Sequence, residues 1–148
     1  ILDSFNIKNP DYINGSSLFD IANTHEDIER VVFSEYHGAG AISGAFMLRD
    51  GKYKLIYYVD FEPELYDLLK DPEEMVNLAT NKDYKDILKN YVTKLFNIAN
   101  PNEVNKEALA AQAIVVEKNG GVTKVLERGG LNGTPVPGGK TTRIKHSY

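Results

Sequence analysis

The sequence predicts an α+β fold, one antiparallel sheet of about four strands covered by a packing helix. Two observations carry this. An Asp50-Gly51 dipeptide sits between two apolar runs, as in a β-hairpin. Downstream, apolar residues recur from Tyr84 to Ala99 at helical spacing.

The elements follow in order. Residues 1–28 mix turn formers with spaced apolar side chains and read as an extended connector from a missing domain, with a short helical turn near Ser17 to Ala22. Pro10 drives Asn9 out of the helical region, and Asn14-Gly15 marks a turn. Strand signals begin with ERVVFSEYH at 29–37 and continue, after a glycine-rich bend, with AISGAFMLRD at 41–50. In the third strand, Tyr53, Leu55, Tyr57 and Val59 share one face by the period of two. Lys52, Lys54, Ile56 and Tyr58 make the other face mixed. A fourth strand, ELYDLL at 64–69, returns alongside to give a meander, with Leu65 and Asp67 on one face and Glu64, Tyr66 and Leu68 on the other.

Between 81 and 99, Tyr84, Ile87, Leu88, Tyr91, Val92, Leu95, Phe96 and Ala99 form one apolar stripe opposite lysines. That stripe covers one face of the sheet and closes a unit over 29–99. A helical extension occupies 100–128. Asn100 caps it, Pro101 takes its first position, Glu103 follows, and Asn119-Gly120-Gly121 stops it before a short turn, VTKVLER. Residues 129–148 hold too many Gly and Pro residues for regular structure.

Composition narrows the function classes. The 148 residues are 42% hydrophobic and 26% charged, ordinary for one globular domain. A net charge of −4 and a pI near 5.4 give no electrostatic reason to expect nucleic acid or an anionic membrane as partner. The basic end KTTRIKHSY reads as a solvated tail. Cysteine is absent, so this chain has no disulfide, thiolate zinc site or cysteine nucleophile. No apolar run reaches the roughly 20 residues that cross a bilayer, and no signal peptide is visible; localisation stays open.

The densest polar stretch, EPELYDLLKDPEEMVNLA at 62–79, poses a choice between metal cage, catalytic pair and turn scaffold. Asp71-Pro72-Glu73-Glu74 has the order of a helix start: Asp71 as cap, Pro72 at the first position, and Glu74 reaching back to the Asp71 N–H. An EF-hand needs a central glycine, and none lies between residues 52 and 119. Spacing along the chain leaves a paired-carboxylate site open. Structural capping is the reading adopted.

Other candidates are weak. His37-Gly38-Ala39-Gly40 resembles an esterase oxyanion motif, but no G-x-S-x-G accompanies it. As a dinucleotide fingerprint it fails at Ser43. It reads as a bend at a strand end where glycine relieves strain; the alternative is His37 as a wall residue of a pocket completed by other residues. His25, His37 and His146 lie too far apart for a zinc motif, and Arg49 reads as a surface or interface ion-pair residue. Asn14-Gly15-Ser16 and Asn132-Gly133-Thr134 match the glycosylation pattern but read as turns.

One longer pattern is specific. Ser34-Glu35-Tyr36, Met47-Leu48-Arg49, Gly51, Tyr53-Lys54, Glu64-Leu65-Tyr66-Asp67-Leu68, Asp71-Pro72, Glu74 and Asn77-Leu78, in that order and spacing, resemble the C-terminal region of the sulfatase family. Arylsulfatase-like and choline-sulfatase-like members are the most similar. ILDSFNI…PDYINGSSL is similar to the family's exit from its catalytic core, and GGLNGTPVPG to the tail of some members.

The resemblance implies a parent hydrolase with an alkaline-phosphatase-like catalytic domain. It would use a formylglycine and a divalent metal, calcium, on a sulfate ester. Neither cofactor is expected from this chain, which has no C/S-x-P-x-R, and no catalytic or metal residue is assigned in it. The implied partner is the parent's own N-terminal catalytic domain; in the alternative module reading the uncovered sheet face meets a second copy of the chain, in a homo-oligomer, or a different protein. The segment around His37 is the candidate substrate-side contact. The expected role is therefore a supporting C-terminal subdomain, inactive alone; the alternative is a self-standing binding or oligomerisation module.

Overall fold

The computed structural model describes residues 1–13, 15–24, 30–38 and 41–128. Its centre is a four-stranded antiparallel meander in the order β1-β2-β3-β4. Strand β1 is Val32–Tyr36, β2 Ala45–Arg49, β3 Tyr53–Tyr58 and β4 Glu64–Asp67. The register runs Tyr36↔Ala45↔Tyr58 at one end and Val32↔Arg49↔Lys54↔Tyr66 at the other. Each strand is shorter than its apolar run.

Period two decides what is buried. Phe46, Leu48, Leu55 and Leu65 are fully buried, and Val59 nearly so. Against them lies α2, Lys85–Ile98, entered through a single-turn 3-10 helix at Lys82–Tyr84 that Asn81 caps by accepting from the Asp83 N–H. Tyr91 and Leu95 of α2 complete the core, with Ile87, Leu88 and Val92 partly buried beside them. Full burial of one such side chain is worth about 1.5–3 kcal/mol, so this seam holds the unit together. Tyr53 packs edge-on to Tyr84 and Tyr91, and Tyr57 to Phe96.

The hairpin between β2 and β3 forms, but its turn is not the positive-φ type that Asp-Gly favours. Neither Asp50 nor Gly51 takes a positive φ. Instead the Asp50 carboxylate accepts from the Lys52 and Tyr53 N–H groups at 2.9 Å, while its own N–H donates to the Tyr53 carbonyl. The side chain closes the loop, so no left-handed residue is needed.

The helix start expected at Asp71 does not form. Asp71 accepts from the N–H groups of Met75 and Val76, as a cap would, but the chain bends instead of winding. The physical reason lies one strand earlier. The Asp71 N–H already donates to the Asp67 carbonyl at 2.8 Å, so Glu74 has no donor to reach back to. Glu74 takes a φ of 57° and its carboxylate pairs with Lys54 at 2.7 Å. Downstream, Asn77 accepts from the Leu65 and Ala79 N–H groups, and the Leu78 N–H donates to the Leu65 carbonyl. These bonds keep the chain along the edge of β4, and a helix would break them. Likewise β4 ends at Asp67 rather than at Leu69, because the buried Asp67 carboxylate accepts from the Leu69 and Lys70 N–H groups and turns the chain.

Before the sheet, α1 is Leu18–Asn23, and a 3-10 turn at Asp3–Phe5 was not anticipated; neither buries a residue. After it, α3 is Pro101–Lys118, with the Asn100 side chain accepting from the Asn102 N–H. Pro101 and Asn105 are buried, and Val104 packs against the core. The rest of α3 runs outward with Leu109, Ile114 and Val115 exposed, and α4, Gly121–Glu127, follows. Residues 14, 25–29, 39–40 and 129–148, which include His25, His146, the second glycosylation-like triplet and the Gly/Pro-rich tail, lie outside the described residues.

Candidate functional site

The end of the sheet where β1 passes to β2 gathers the groups most suited to meeting a ligand. An open groove of about 770 Å³ lies on the face away from α2. It is lined by Tyr36, Ile42, Ser43, Tyr58, Phe61 and Glu62, mostly through carbon. Cross-strand pairing puts Tyr36, Ala45 and Tyr58 side by side there. Ile42, Phe61 and Tyr36 are largely exposed, which makes this an uncovered apolar surface. Burial, then the Glu64 charge, pushes the Tyr58 hydroxyl above its ordinary range.

His37 stands behind this groove, not in it. Its ring lies edge-on to Phe46, with centroids 5.3 Å apart. Both ring nitrogens are shut off from solvent and find no hydrogen-bond partner among the described residues. The ring lines a small chamber with Ser43, Gly44, Asn105 and Gln112. Gly44 is required there: a Cβ would come within 2.7 Å of His37 Cε1 and 3.0 Å of Phe46 Cε2. Two bonds to α3 fix the segment. Gln112 Nε2 donates to the His37 carbonyl at 2.9 Å, and the buried Gly44 N–H donates to Asn105 Oδ1 at 2.7 Å.

His37 and Gly44 are thus packed against α3, while residues 39–40 of the expected bend lie outside the described residues. The neighbours of His37 form the groove wall. Sequence reading passed over Asn105 and Gln112. Their separation of seven residues, which stacks two side chains on one helix face, was the available signal.

Of the acids in the 62–79 stretch, Glu62 borders the groove and the others do not line it. Asp67 and Asp71 hold turns, Glu74 pairs with Lys54, and Glu64 accepts from the Tyr66 hydroxyl. Among the described residues, no three His, Asp or Glu side chains come together as a metal cage would need. Arg49, at the far end of the same open face, is exposed. Among the described residues, no helix is long and apolar enough to cross a membrane.

Comparison with known proteins decides the family. Residues 1–101 match the family described as N-sulphoglucosamine sulphohydrolase, C-terminal. The chain belongs to this sulfatase family. Mouse arylsulfatase K is 32% identical over 116 residues, covering 71% of this chain and 21% of its own length. Human arylsulfatase K is 30% identical over the same span and shares. A solved Bacteroides thetaiotaomicron protein assigned to the sulfatases is 30% identical with a TM-score of 0.57, covering 65% of this chain and 22% of that one. A structure of a 2-O GAG sulfatase is 29% identical at a TM-score of 0.57, with shares of 66% and 22%. The four-stranded sheet and its helices are thus a sulfatase C-terminal subdomain, of the alkaline-phosphatase-like class of folds. The chain spans about a fifth of the length of the relatives it matches.

Proposed function

We propose that this chain serves a sulfuric ester hydrolase as the subdomain that supports the catalytic domain and borders its active-site mouth with the segment around His37. One observation carries the reading: the open sheet face ends in an uncovered aromatic groove beside that segment, in a chain whose residues 1–101 match a sulfatase C-terminal family. Such a surface is what a second domain and a bound substrate would cover.

The chemistry falls to the partner domain in this reading. A divalent cation, calcium, and a formylglycine would supply the electrophilic assistance and the nucleophile there. The residues present do not fit either group. The sequence lacks C/S-x-P-x-R, and among the described residues no three His, Asp or Glu side chains group as a metal site would need. The residues here act by packing and by shaping the entrance. Sulfated sugars head the substrate classes to test, since one structural neighbour is a 2-O GAG sulfatase.

Sulfate release from p-nitrophenyl sulfate and from a sulfated disaccharide tests this. The complete parent polypeptide should turn over at least one of them, and the 148-residue chain neither. Turnover by the chain alone, or none by the parent after formylglycine formation and calcium loading, would overturn the proposal.

A further inference from the structure

Helix α3 grips both ends of the β1–β2 connection. Gln112 holds the His37 carbonyl, where the chain leaves β1, and Asn105 holds the Gly44 N–H, just before β2 begins. The two amides lie seven residues apart, about 10 Å along the helix axis and on one face of it. They therefore hold His37 and Gly44 at two fixed points on one helix face. Between the two grips, Ile42 and Ser43 turn toward the groove, with Tyr36 just ahead of them.

The grip leaves little play. Asn105 is only 9% exposed, and its bond to Gly44 is buried. Gly44 has no room for a side chain against His37 and Phe46, so the backbone sits as close to the ring as contact allows. The Gly44 carbonyl is also occupied, accepting from the Val59 N–H at 3.2 Å. The family match ends at residue 101, and both amides lie beyond it on α3. The restraint is thus supplied by a segment outside the matched span.

We propose that Asn105 and Gln112 are positioning residues: through the His37 carbonyl and the Gly44 N–H they preset the wall formed by Tyr36, Ile42 and Ser43 against the leaving-group portion of a sulfate ester. This rests on the reading of that wall as part of the active-site mouth. A wall held in place lowers the cost of ordering it when the ligand arrives. Only a substrate long enough to reach the wall benefits. A small aryl sulfate, with less leaving group to meet the wall, should gain less.

The test uses the complete parent polypeptide with Asn105→Ala, Gln112→Ala and Asn105→Asp. Asp keeps an oxygen that can accept from Gly44. For a sulfated disaccharide, the alanine variants should raise KM by roughly three- to tenfold with kcat within about twofold, the size of one lost positioning hydrogen bond. KM for p-nitrophenyl sulfate should stay within about twofold, and Asn105→Asp should recover most of the loss. Amide exchange at Gly44 should speed up by roughly tenfold in Asn105→Ala.

Unchanged exchange and unchanged KM in both alanine variants would overturn the proposal. So would an equal rise in KM for both substrates, which marks a general structural defect. Gln112 is exposed, so its variant reports even where Asn105→Ala fails to fold. If the unaltered parent hydrolyses no sulfate ester, the functional reading falls instead, and the Gly44 exchange rate still decides whether the grip exists.

Discussion

The Tyr91 hydroxyl donates to the Asp50 carboxylate, tying the middle of α2 to the β2–β3 hairpin 41 residues earlier. The other Asp50 oxygen closes the hairpin turn, so one side chain sets the loop and docks the helix. Its side chain is 13% exposed, with Lys94 at 3.9 Å. Water therefore replaces a lost partner only in part. Tyr91→Phe should cost about 1–2 kcal/mol, because it removes a hydrogen bond to a charged acceptor and leaves that acceptor short of a donor. Urea unfolding of the purified chain measures this. A double-mutant cycle with Asp50→Asn should show coupling; purely additive losses would mean the bond contributes nothing.

The same pair sets the pH response. Burial alone would raise the Asp50 carboxyl. The Tyr53 N–H, the Tyr91 hydroxyl, the Lys52 N–H and the Lys94 charge together outweigh it, and hold it below its ordinary value of 3.8. A depressed carboxyl contributes stability above its unfolded pKa, and loses it as pH falls through the folded one. Asp50→Asn should therefore lower the urea midpoint at neutral pH, with the gap to the parent chain closing as pH falls below the ordinary carboxyl value and through the depressed one. Tyr91 works from the other side. Burial first, then the hydrogen bond and charge of Asp50, raise its hydroxyl above the ordinary 10.0. That stabilisation is complete below pH 10 and fades as pH climbs toward the raised value, a slope that Tyr91→Phe should remove.

Much of this was legible in the residues, and the misses share a cause. The meander followed from Asp50-Gly51 and the alternation of Tyr53, Leu55, Tyr57 and Val59, since burial on one face of a sheet enforces period two. The stripe through Tyr91 and Leu95 similarly fixed α2. What local reasoning missed was a donor already in use. The capping box of Asp71-Pro72-Glu73-Glu74 closes only if the Asp71 N–H is free, and the Asp67 carbonyl has taken it. Asn105 and Gln112 were passed over for the converse reason. On a helix an amide reads as solvent-facing until its partner, here a backbone group on another element, is known. His37 stood out by its glycines, but nothing in HGAG says which way the ring turns.

That inward turn makes a prediction of its own. At Gly44, an added methyl meets the His37 ring edge at 2.7 Å and Phe46 at 3.0 Å, and neither can retreat far within the packed end of the sheet. Gly44→Ala should destabilise the chain by about 1–3 kcal/mol through overpacking. In a His37→Ala background most of that penalty should vanish, since the nearest atoms are gone. Thermal unfolding of the four chains gives the answer. Equal losses with and without the imidazole would show that the clash lies elsewhere.

Glu74 sets two effects of similar size against each other. Its φ of 57° costs a residue with a side chain about 1 kcal/mol, and its ion pair with Lys54 returns a similar or smaller amount. The pair is partly exposed, at 23% and 32%, so salt weakens it while the backbone strain is indifferent to salt. Glu74→Ala keeps the strain and loses the pair, and should be less stable than the parent chain by up to about 1 kcal/mol at low ionic strength. Glu74→Gly loses the pair but relieves the strain, and should come out near neutral. In about 1 M salt the pair is screened and the order should change, with Glu74→Gly the most stable of the three and Glu74→Ala level with the parent. Urea midpoints at both ionic strengths would measure this, and a ranking that does not move with salt would show that the Lys54 contact has no part in holding the turn.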